Sequence, residues 1–345
     1  MQTLPASDYW SAATHRCERR AIFATEWQCL GPAAPVDAPG GYLAEELAGW
    51  PIVVVRDGSG ALRAFHNVCR HRAGPLVDDG CGALRSFVCR YHGWAYGLDG
   101  ALRSARDSGL SDAEVAGLDL LPICAEEWRG LLFVRLAPDG PPLVEWLGAF
   151  GDACEGHPME AWQPAHRAEH QLACNWKTYG DNYLEGYHVP LVHPALTRTV
   201  DPSSYRVEAF DGWARHTVQT RAGATTSGTW LWHWPNLAVN LYEAGMSVER
   251  WVPTGPTSCR LVLDYWFADT SSEAMEGNRL AIEGSTTLCL EDQAICEAVQ
   301  RNLEAGEYVW GLLSPRHEDS VGAFHDMVRT ARGPSNPPEG VTPDE

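Results

Sequence analysis

Hydrophobic and polar positions alternate in short stretches between residues 27 and 136, and turn residues separate the stretches. PIVVVRDGSGALRAFHNV (51–68) places a DGSG turn between two apolar runs, and AYGLDGALRS (95–104) repeats this arrangement. Apolar runs joined by Asp-Gly turns are typical of β-hairpins. The pattern therefore predicts an all-β domain over residues 25–140, preceded by a helical segment in residues 1–24.

The Pro- and Gly-rich stretch LAPDGPPLVEW (136–146) indicates a domain boundary. Beyond it, helical stretches near 175–188 and 284–304 are mixed with strand-like stretches at 205–218, 229–252 and 259–268. This mixture predicts an α+β fold. We assign residues 1–24 and 141–330 to a second domain, and we expect the polar, Pro-rich residues 331–345 to form a disordered tail.

Composition narrows the possible functions. The 345 residues are 45% hydrophobic, which is enough to bury a large core, and the formal net charge of -19 argues against a nucleic-acid partner. No stretch resembles a signal peptide or is apolar enough to cross a bilayer, so we expect a cytoplasmic protein without a membrane partner. Its eleven cysteines are then reduced, and those at metal-like spacings are candidate ligands.

Two cysteine–histidine couples, Cys69-x-His71 and Cys89-x-x-His92, lie seventeen residues apart in loops between β segments. Zinc in a Cys2His2 site would use the same ligands, but a zinc finger carries both histidines on one helix. Here each loop supplies one thiolate and one imidazole. That arrangement favours a Rieske [2Fe–2S] cluster, in which two cysteines bind one iron and two histidines bind the other.

A second motif is NWKTYGDNYLEGYHVPLVHP (175–194), which predicts a helix that Pro190 ends. Asp181, Glu185 and His188 would share one face of this helix, because they are four and three residues apart. His193 follows five residues after His188, close enough for a turn to bring both imidazoles to one ion. A histidine pair near a helix end is also a common structural feature, so a third ligand is needed.

That ligand is expected on the helix predicted over 284–304. Its apolar stripe contains a carboxylate: Leu288, Asp292, Ile295, Val299 and Leu303. A buried Asp292 needs a metal, an arginine or a strong donor, whereas Glu291 lies at the edge of the stripe and could reach solvent. His188, His193 and Asp292 would form the two-histidine, one-carboxylate triad of non-haem Fe(II) oxygenases.

Both motifs resemble those of Rieske non-haem iron oxygenase large (alpha) subunits. In the first, Gly93-Trp94 follows His92, and Pro75 lies in a first loop without the extra cysteine of cytochrome-complex Rieske proteins. The resemblance implies a Rieske β domain joined to a helix-grip catalytic domain, with mononuclear Fe(II) and O2 as co-substrate. It also implies a separate NAD(P)H-dependent flavin/iron-sulfur reductase, since the sequence has no GxGxxG fingerprint.

The resemblance further implies roles for the residues before His188. Glu185 would bridge from the iron site to His92 of a neighbouring subunit's cluster, in a cyclic homotrimer. The family commonly has Asp at this position. Asp181 and Asn182 would hold the ligand histidines in one tautomer.

The substrate is less constrained. DNYLEGYHVPLVHP (181–194) is most similar to choline monooxygenase-like oxygenases, which act on quaternary ammonium compounds such as choline, carnitine and betaines. In TWLWHWPN (229–236), a strand would place Trp230, Trp232 and Trp234 on one face, and Tyr242, Glu243 and Trp251 are further candidates. The indoles could form a cage for a methylammonium group, the wall of a pocket for an aromatic or secondary-metabolite substrate, or ordinary core.

Mono- and dioxygenation both remain open, as does O-demethylation of an aromatic substrate. A different function class is also open, in which the protein transfers electrons with the cluster alone.

Overall fold

The computed structural model describes residues 1–221 and 228–333. The chain begins with a 3-10 turn (Ala6–Tyr9) and helix α1 (Ala12–Glu18), which continues into a π-helical turn (Arg19–Phe23). A β domain follows. Its strands are β1 (Gln28–Pro32), β2 (Gly41–Leu47), β3 (Trp50–Arg56), β4 (Leu62–His66), β5 (Gly80–Ala83), β6 (Phe87–Val88), β7 (Ala95–Tyr96), β8 (Leu102–Ser104), β9 (Pro122–Trp128) and β10 (Leu131–Arg135), with a short helix α2 (Asp112–Val115).

The strands of the β domain form two antiparallel sheets, in the orders β1-β10-β9-β4-β3-β2-β5 and β6-β7-β8. The two predicted hairpins are confirmed as β3–β4 and β7–β8. In the first, the Asp57 carboxylate accepts the backbone N–H groups of Ser59 (2.8 Å) and Ala61 (3.0 Å), which fixes the turn. The apolar run Ile52–Val55 of β3, which pairs with β2 on one side and β4 on the other, is fully buried.

The C-terminal domain consists of one seven-stranded antiparallel sheet, β11-β17-β16-β15-β14-β13-β12, with helices. The predicted α+β fold is therefore confirmed. Its elements are α3 (Leu143–Ala153), β11 (Gln163–Leu172), α4 (Trp176–Tyr183), α5 (Val189–Val192), α6 (Pro194–Thr199), β12 (Val200–Ala209), β13 (Trp213–Thr220), β14 (Gly228–His233), β15 (Leu237–Tyr242), β16 (Gly245–Gly255), β17 (Ser258–Phe267), α7 (Met275–Glu304) and α8 (Asp319–Arg332).

The predicted helix over 175–188 is too long: α4 ends at Tyr183. The Glu185 carboxylate accepts the backbone N–H groups of Tyr187 and His188, which therefore do not continue the helix. Pro190 does not end α4 but lies in the first turn of α5, where its missing N–H leaves no helical bond unmade.

The two faces of the seven-stranded sheet have different neighbours. On the outer face, the buried Arg250 of β16 forms an ion pair with Glu45 of β2 (2.7 Å) and donates to the carbonyl of Leu30 (2.9 Å), tying the sheet to the β domain. The inner face contacts α4, where the Tyr183 hydroxyl donates to Asn240 (3.0 Å). The sheet therefore separates α4 from the β domain.

Two further predictions concern the ends of the chain. α8 extends to Arg332, so the first residues of the predicted tail are helical, and residues 334–345 lie outside the described part of the chain. Within 1–221 and 228–333, no helix is both long enough and apolar enough to cross a membrane.

Candidate active site

The first candidate site is formed by two loops with the same backbone pattern. The N–H of Cys69 donates to the Gly74 carbonyl (2.8 Å), and the Cys69 carbonyl accepts from Ala73 (3.0 Å). In the second loop, Cys89 N–H donates to Trp94 (2.9 Å), and the Cys89 carbonyl accepts from Gly93 (2.9 Å). Each loop therefore folds back on its cysteine.

The four predicted ligands of this site lie together. Cys69 and Cys89 are buried, whereas His71 and His92 are exposed with ring centroids 4.7 Å apart. A Cβ atom at Gly74 would lie 2.9 Å from the Cys89 sulfur, so only glycine leaves this space free. Two cysteines and two histidines grouped in this way suit a Rieske cluster, because the cysteines would hold one iron and the histidines the other.

The second candidate site is formed by α5, the residues on either side of it, and α7. His188 Nε2 lies 3.2 Å from His193 Nε2, and Asp292 Oδ1 lies 3.0 Å from His193 Nε2 and 3.5 Å from His188 Nε2. Three donor atoms at these separations can bind one ion on one side and leave its other side open. The residues present therefore fit a mononuclear iron.

Each of the three donors is oriented by a second hydrogen bond. The Nδ1 of His188 contacts Glu185 (2.5 Å), the Nδ1 of His193 contacts Glu291 (2.7 Å), and Asn182 Nδ2 donates to Asp292 Oδ1 (2.8 Å). An Nδ1–H that donates to a carboxylate leaves Nε2 free to bind a metal. Both imidazoles therefore present their metal-binding nitrogen to the same point.

The charges around His193 are unbalanced. Burial alone would lower the pKa of His193, but its hydrogen bonds to Asp292 and Glu291 and their charges raise it on balance. Two carboxylates around one imidazole are an environment that favours a positive charge. A bound cation would supply that charge.

The inner face of the sheet forms the floor beneath these helices. Paired residues on adjacent strands share a face, and His216, Trp230, Asn240, Ser247 and Tyr265 are register partners from β13 to β17. We call these five residues the polar row. The Tyr183 hydroxyl of α4 donates to Asn240, so the polar row lies on the same side of the sheet as α4.

Comparisons with known proteins agree with this geometry. The sequence matches the Rieske [2Fe-2S] domain over residues 26–111 and the ring hydroxylating alpha subunit (catalytic domain) over residues 159–332. The chain belongs to the Rieske oxygenase family. Its cofactors are a Rieske [2Fe–2S] cluster and mononuclear iron, with O2 as co-substrate, and it is an oxygenase subunit of a multicomponent system.

Several relatives of this oxygenase act on ammonium compounds. It is 32% identical over 342 residues to the chloroplastic choline monooxygenase of Beta vulgaris. This alignment covers 94% of this chain and 75% of that protein. It is 29% identical to the carnitine monooxygenase oxygenase subunit of Escherichia coli K12, covering 89% of this chain and 85% of that one. The structure of the quaternary ammonium monooxygenase CntA with L-carnitine superposes with a TM-score of 0.86 at 25% identity, over 96% of each chain.

The structure differs from two expectations about residues near the iron site of this oxygenase. Asp181 accepts hydrogen bonds from Tyr9 (2.6 Å) and His325 Nε2 (2.8 Å), and Asn182 contacts Asp292, so neither hydrogen-bonds to a ligand histidine. Both residues lie in α4, which ends at Tyr183, before the segment that carries His188 and His193.

Most of the apolar stripe predicted on α7 lies outside the core, and Leu303 is its buried member. Ile295 and Val299 are 40% and 41% exposed, and the buried residues of α7 are Cys289, Cys296, Gln300 and Leu303. Asp292 lies at the border between the buried and exposed sides, next to Glu291. Together with Asn182, Glu185 and His188, the exposed apolar residues line an open cavity of about 480 Å³.

The aromatic candidates divide into two groups. Trp232 and Trp234 are buried against Phe324 of α8, and Trp251 is fully buried between the rings of Tyr179 and Tyr183. These three belong to the core. Trp230 and Tyr242 are half-buried, and the Trp230 indole donates to the Tyr242 hydroxyl (3.2 Å). Glu243 lies exposed in the turn that follows Tyr242.

Sequence reasoning missed Glu249, a buried acid on the inner face of β16. It accepts a hydrogen bond from the Tyr179 hydroxyl (2.5 Å), and no basic side chain in the described part of the chain pairs with it. Burial raises the pKa of Glu249 to about 7. The alternation of β16 could have indicated its direction, but only the contact with α4 reveals its partner.

Proposed function

We propose that this oxygenase hydroxylates or oxidatively demethylates a quaternary ammonium compound such as choline, carnitine or a betaine. The observation that carries the proposal is its likeness, over nearly the whole chain, to the CntA structure that holds L-carnitine. Half-buried aromatic rings at Trp230 and Tyr242 offer faces to a methylammonium group, an attraction worth about 0.5–2 kcal/mol per contact. Glu249 adds an acid without a basic partner among the described residues.

In this proposal, Cys69, Cys89, His71 and His92 would hold the cluster. His188, His193 and Asp292 would hold the mononuclear iron. Iron bound there supplies the activation of O2 that hydroxylation requires. Neighbouring residues hold these three ligands in their orientations.

Glu185 and Glu291 each keep one Nδ1 protonated, so that Nε2 of the same imidazole stays free, and Asn182 holds the Asp292 carboxylate in its orientation.

A single-turnover assay tests the substrate class. Chemically reduced enzyme is exposed to O2 with choline, carnitine or glycine betaine, and new carbinols and formaldehyde are measured. The matched control is 3,3-dimethylbutanol, in which carbon replaces the nitrogen of choline, and methoxylated and carboxylated aromatics complete the panel. We expect product from the ammonium compounds alone. Product from the neutral isostere or the aromatics alone would contradict the proposal.

Asp292→Ala is the control for the metal site. We expect it to remove the mononuclear iron and all product while the visible spectrum of the cluster stays unchanged. The iron content should fall from about three to about two atoms per chain. Turnover by this variant would show that another residue is the third ligand.

We also propose that electrons reach the iron from the cluster of a neighbouring subunit in a homotrimer. Within one protomer the sheet lies between the β domain and the triad. His92 is exposed on one side of the molecule, and Glu185, bound to His188, lines an open cavity with exposed apolar walls. A relative's structure is described in terms of inter-subunit electron transfer. Glu185 would then connect His188 to the partner's cluster.

Mixed oligomers test this arrangement. His92→Ala should abolish electron delivery from the cluster, and Asp292→Ala should abolish iron binding, so each variant alone is inactive. Co-expressed, the two should form trimers in which the intact cluster of one protomer serves the intact iron of the next, and part of the activity should return. Mixed trimers without activity would refute transfer between subunits. Glu185→Gln should keep both metal sites and slow multiple turnover.

The electrons themselves are proposed to come from a separate NAD(P)H-dependent flavin and iron–sulfur reductase that docks near the exposed histidines. Purified oxygenase should then turn over with NADH only after a reductase of this type is added, whereas chemical reduction should support one turnover without it. Sustained NADH-dependent turnover by the oxygenase alone would refute the need for this partner.

A further inference from the structure

His216 of β13 is a buried residue that is not among those proposed to hold the cluster, hold the iron or orient its ligands. It begins the polar row, and its register partners are Val207 of β12 and Trp230 of β14. Only 3% of its surface is exposed. Its ring lies edge-on to the Tyr183 ring, with the centroids 5.1 Å apart. It is therefore held beneath the end of α4.

One nitrogen of His216 has a partner and the other does not. Nδ1 lies 3.1 Å from the Tyr205 hydroxyl, whereas Nε2 is buried and makes no hydrogen bond to any residue in 1–221 or 228–333. Burial lowers the pKa of His216 to about 3, and burial raises the pKa of Tyr205. The imidazole is thus neutral and carries one proton. In the tautomer in which the Tyr205 hydroxyl donates to Nδ1, that proton lies on Nε2.

The His216–Tyr205 pair lies against the segment that carries the iron ligand. The Tyr205 ring packs so closely on Gly186 that a Cβ atom there would collide with it. Gly186 stands between Glu185 and His188. A buried N–H without a partner is unfavourable, so a bound water or an oxygen of a ligand is expected to complete it.

Trp230 places an aromatic ring beside this donor. As register partners on one face of an antiparallel pair, His216 and Trp230 have neighbouring side chains. An aromatic surface next to an N–H donor matches a compound in which a short chain joins an ammonium group to an oxygen. Such compounds include amino alcohols and amino acids with a quaternary nitrogen.

We propose that His216 Nε2–H donates a hydrogen bond to a hydroxyl or carboxylate oxygen of the substrate and so selects ammonium compounds that carry one. The inference rests on the proposed function, because it takes the substrate to be a quaternary ammonium compound. It assigns the recognition of the substrate's second polar group, which the iron site and the aromatic rings do not supply.

Binding to the oxidised holoenzyme, measured by calorimetry, tests this role without turnover. The probes are choline and n-propyltrimethylammonium, which differ by a methyl group in place of the hydroxyl. The wild type should bind choline about 3- to 10-fold more tightly, and a carboxylate-bearing betaine should gain more, because hydrogen bonds to charged groups are stronger. His216→Phe should abolish the preference for choline and leave the propyl compound's affinity nearly unchanged.

Three further variants sharpen the test. His216→Gln, which restores an N–H donor, should recover part of the preference. His166→Phe is the matched control, because His166 pairs with Tyr265 at the exposed far edge of the same sheet and should change nothing. Tyr205→Phe leaves the imidazole in place but removes the hydroxyl that fixes its tautomer, and it should reduce the preference two- to threefold. It also serves if His216→Phe does not fold.

The outcomes separate this inference from the proposed function. If the wild type binds neither probe, both the ammonium class and the role of His216 are refuted. If it binds both probes equally, or if the His216 variants weaken both alike, the histidine serves packing or binds water only, while the ammonium class stands. If His216→Phe is insoluble, an unchanged preference in Tyr205→Phe also overturns the inference.

Discussion

Glu291 offers the most direct test of how the iron site is supported. Its carboxylate accepts the Nδ1–H of His193 at 2.7 Å, and its side chain is 29% exposed. Removing the carboxylate that orients a metal-binding histidine typically lowers metal affinity 10- to 100-fold, which corresponds to about 1.4–2.8 kcal/mol. Partial exposure allows water to replace the acceptor, so we expect Glu291→Ala to lie near the lower end of this range and Glu291→Gln below it.

The assay is an anaerobic titration of iron-depleted enzyme with Fe(II) in competition with a chelator. The visible spectrum of the cluster reports that the β domain is intact. Glu283→Ala is the matched control, because Glu283 lies on the same helix and pairs with Arg279 on the surface. If Glu291→Ala binds iron within twofold of the wild type, the hydrogen bond to His193 does not support the site and our reasoning is wrong.

Three other variants test the remaining contacts. Glu45→Ala leaves the buried Arg250 without its ion-pair partner and should destabilise the protein by about 3–5 kcal/mol, measured as a lower unfolding temperature. Burial alone would raise the pKa of Glu45, but Arg250 lowers it on balance, so the ion pair contributes fully above the ordinary carboxyl pKa and is lost as the pH falls through the lower folded value. The difference between wild type and Glu45→Gln should therefore narrow in acid, and a constant difference would contradict the pairing. Trp232→Ala should cost about 3–5 kcal/mol by leaving a cavity, while the exposed Trp10→Ala should cost little; equal effects would argue against a core role. Asn182→Ala removes the amide that donates to Asp292 and should weaken iron binding about 3- to 10-fold. Unchanged iron affinity would show that this hydrogen bond does not support the site.

The sequence predicted the elements whose pattern is local. The DGSG turn is fixed by Asp57 and the backbone immediately after it, so the β3–β4 hairpin could be identified from a few residues. The cysteine–histidine couples are equally local, since each loop closes on its own cysteine. His188, His193 and Asp292 could be grouped because metal chemistry requires such a set, although Asp292 lies about a hundred residues further along the chain.

Contacts between distant segments were not predictable in the same way. Glu291 was expected to reach solvent, because nothing in the pattern of α7 indicates that His193 lies above it. The end of α4 depends on the Glu185 carboxylate replacing helical hydrogen bonds, which a helical periodicity cannot express. Trp230 and Trp232 share one face of β14 as predicted, whereas Trp234 lies in the turn after the strand. The burial of Trp232 and Trp234 depends on Phe324 of α8, a helix the pattern did not predict.

α7 connects more parts of this oxygenase than any pattern suggested. From one helix, Ser285 meets the floor at Tyr265, Asp292 meets the metal ligands, and Gln300 holds the start of α4 through Asn175. A rotation of α7 would disturb all three contacts together. Substitutions that shift this helix should therefore be poorly tolerated. β13 and β14 carry His216 and Trp230 but supply none of the three proposed iron ligands. New substrate preferences should therefore be easier to engineer, and to evolve, on these strands than on α7.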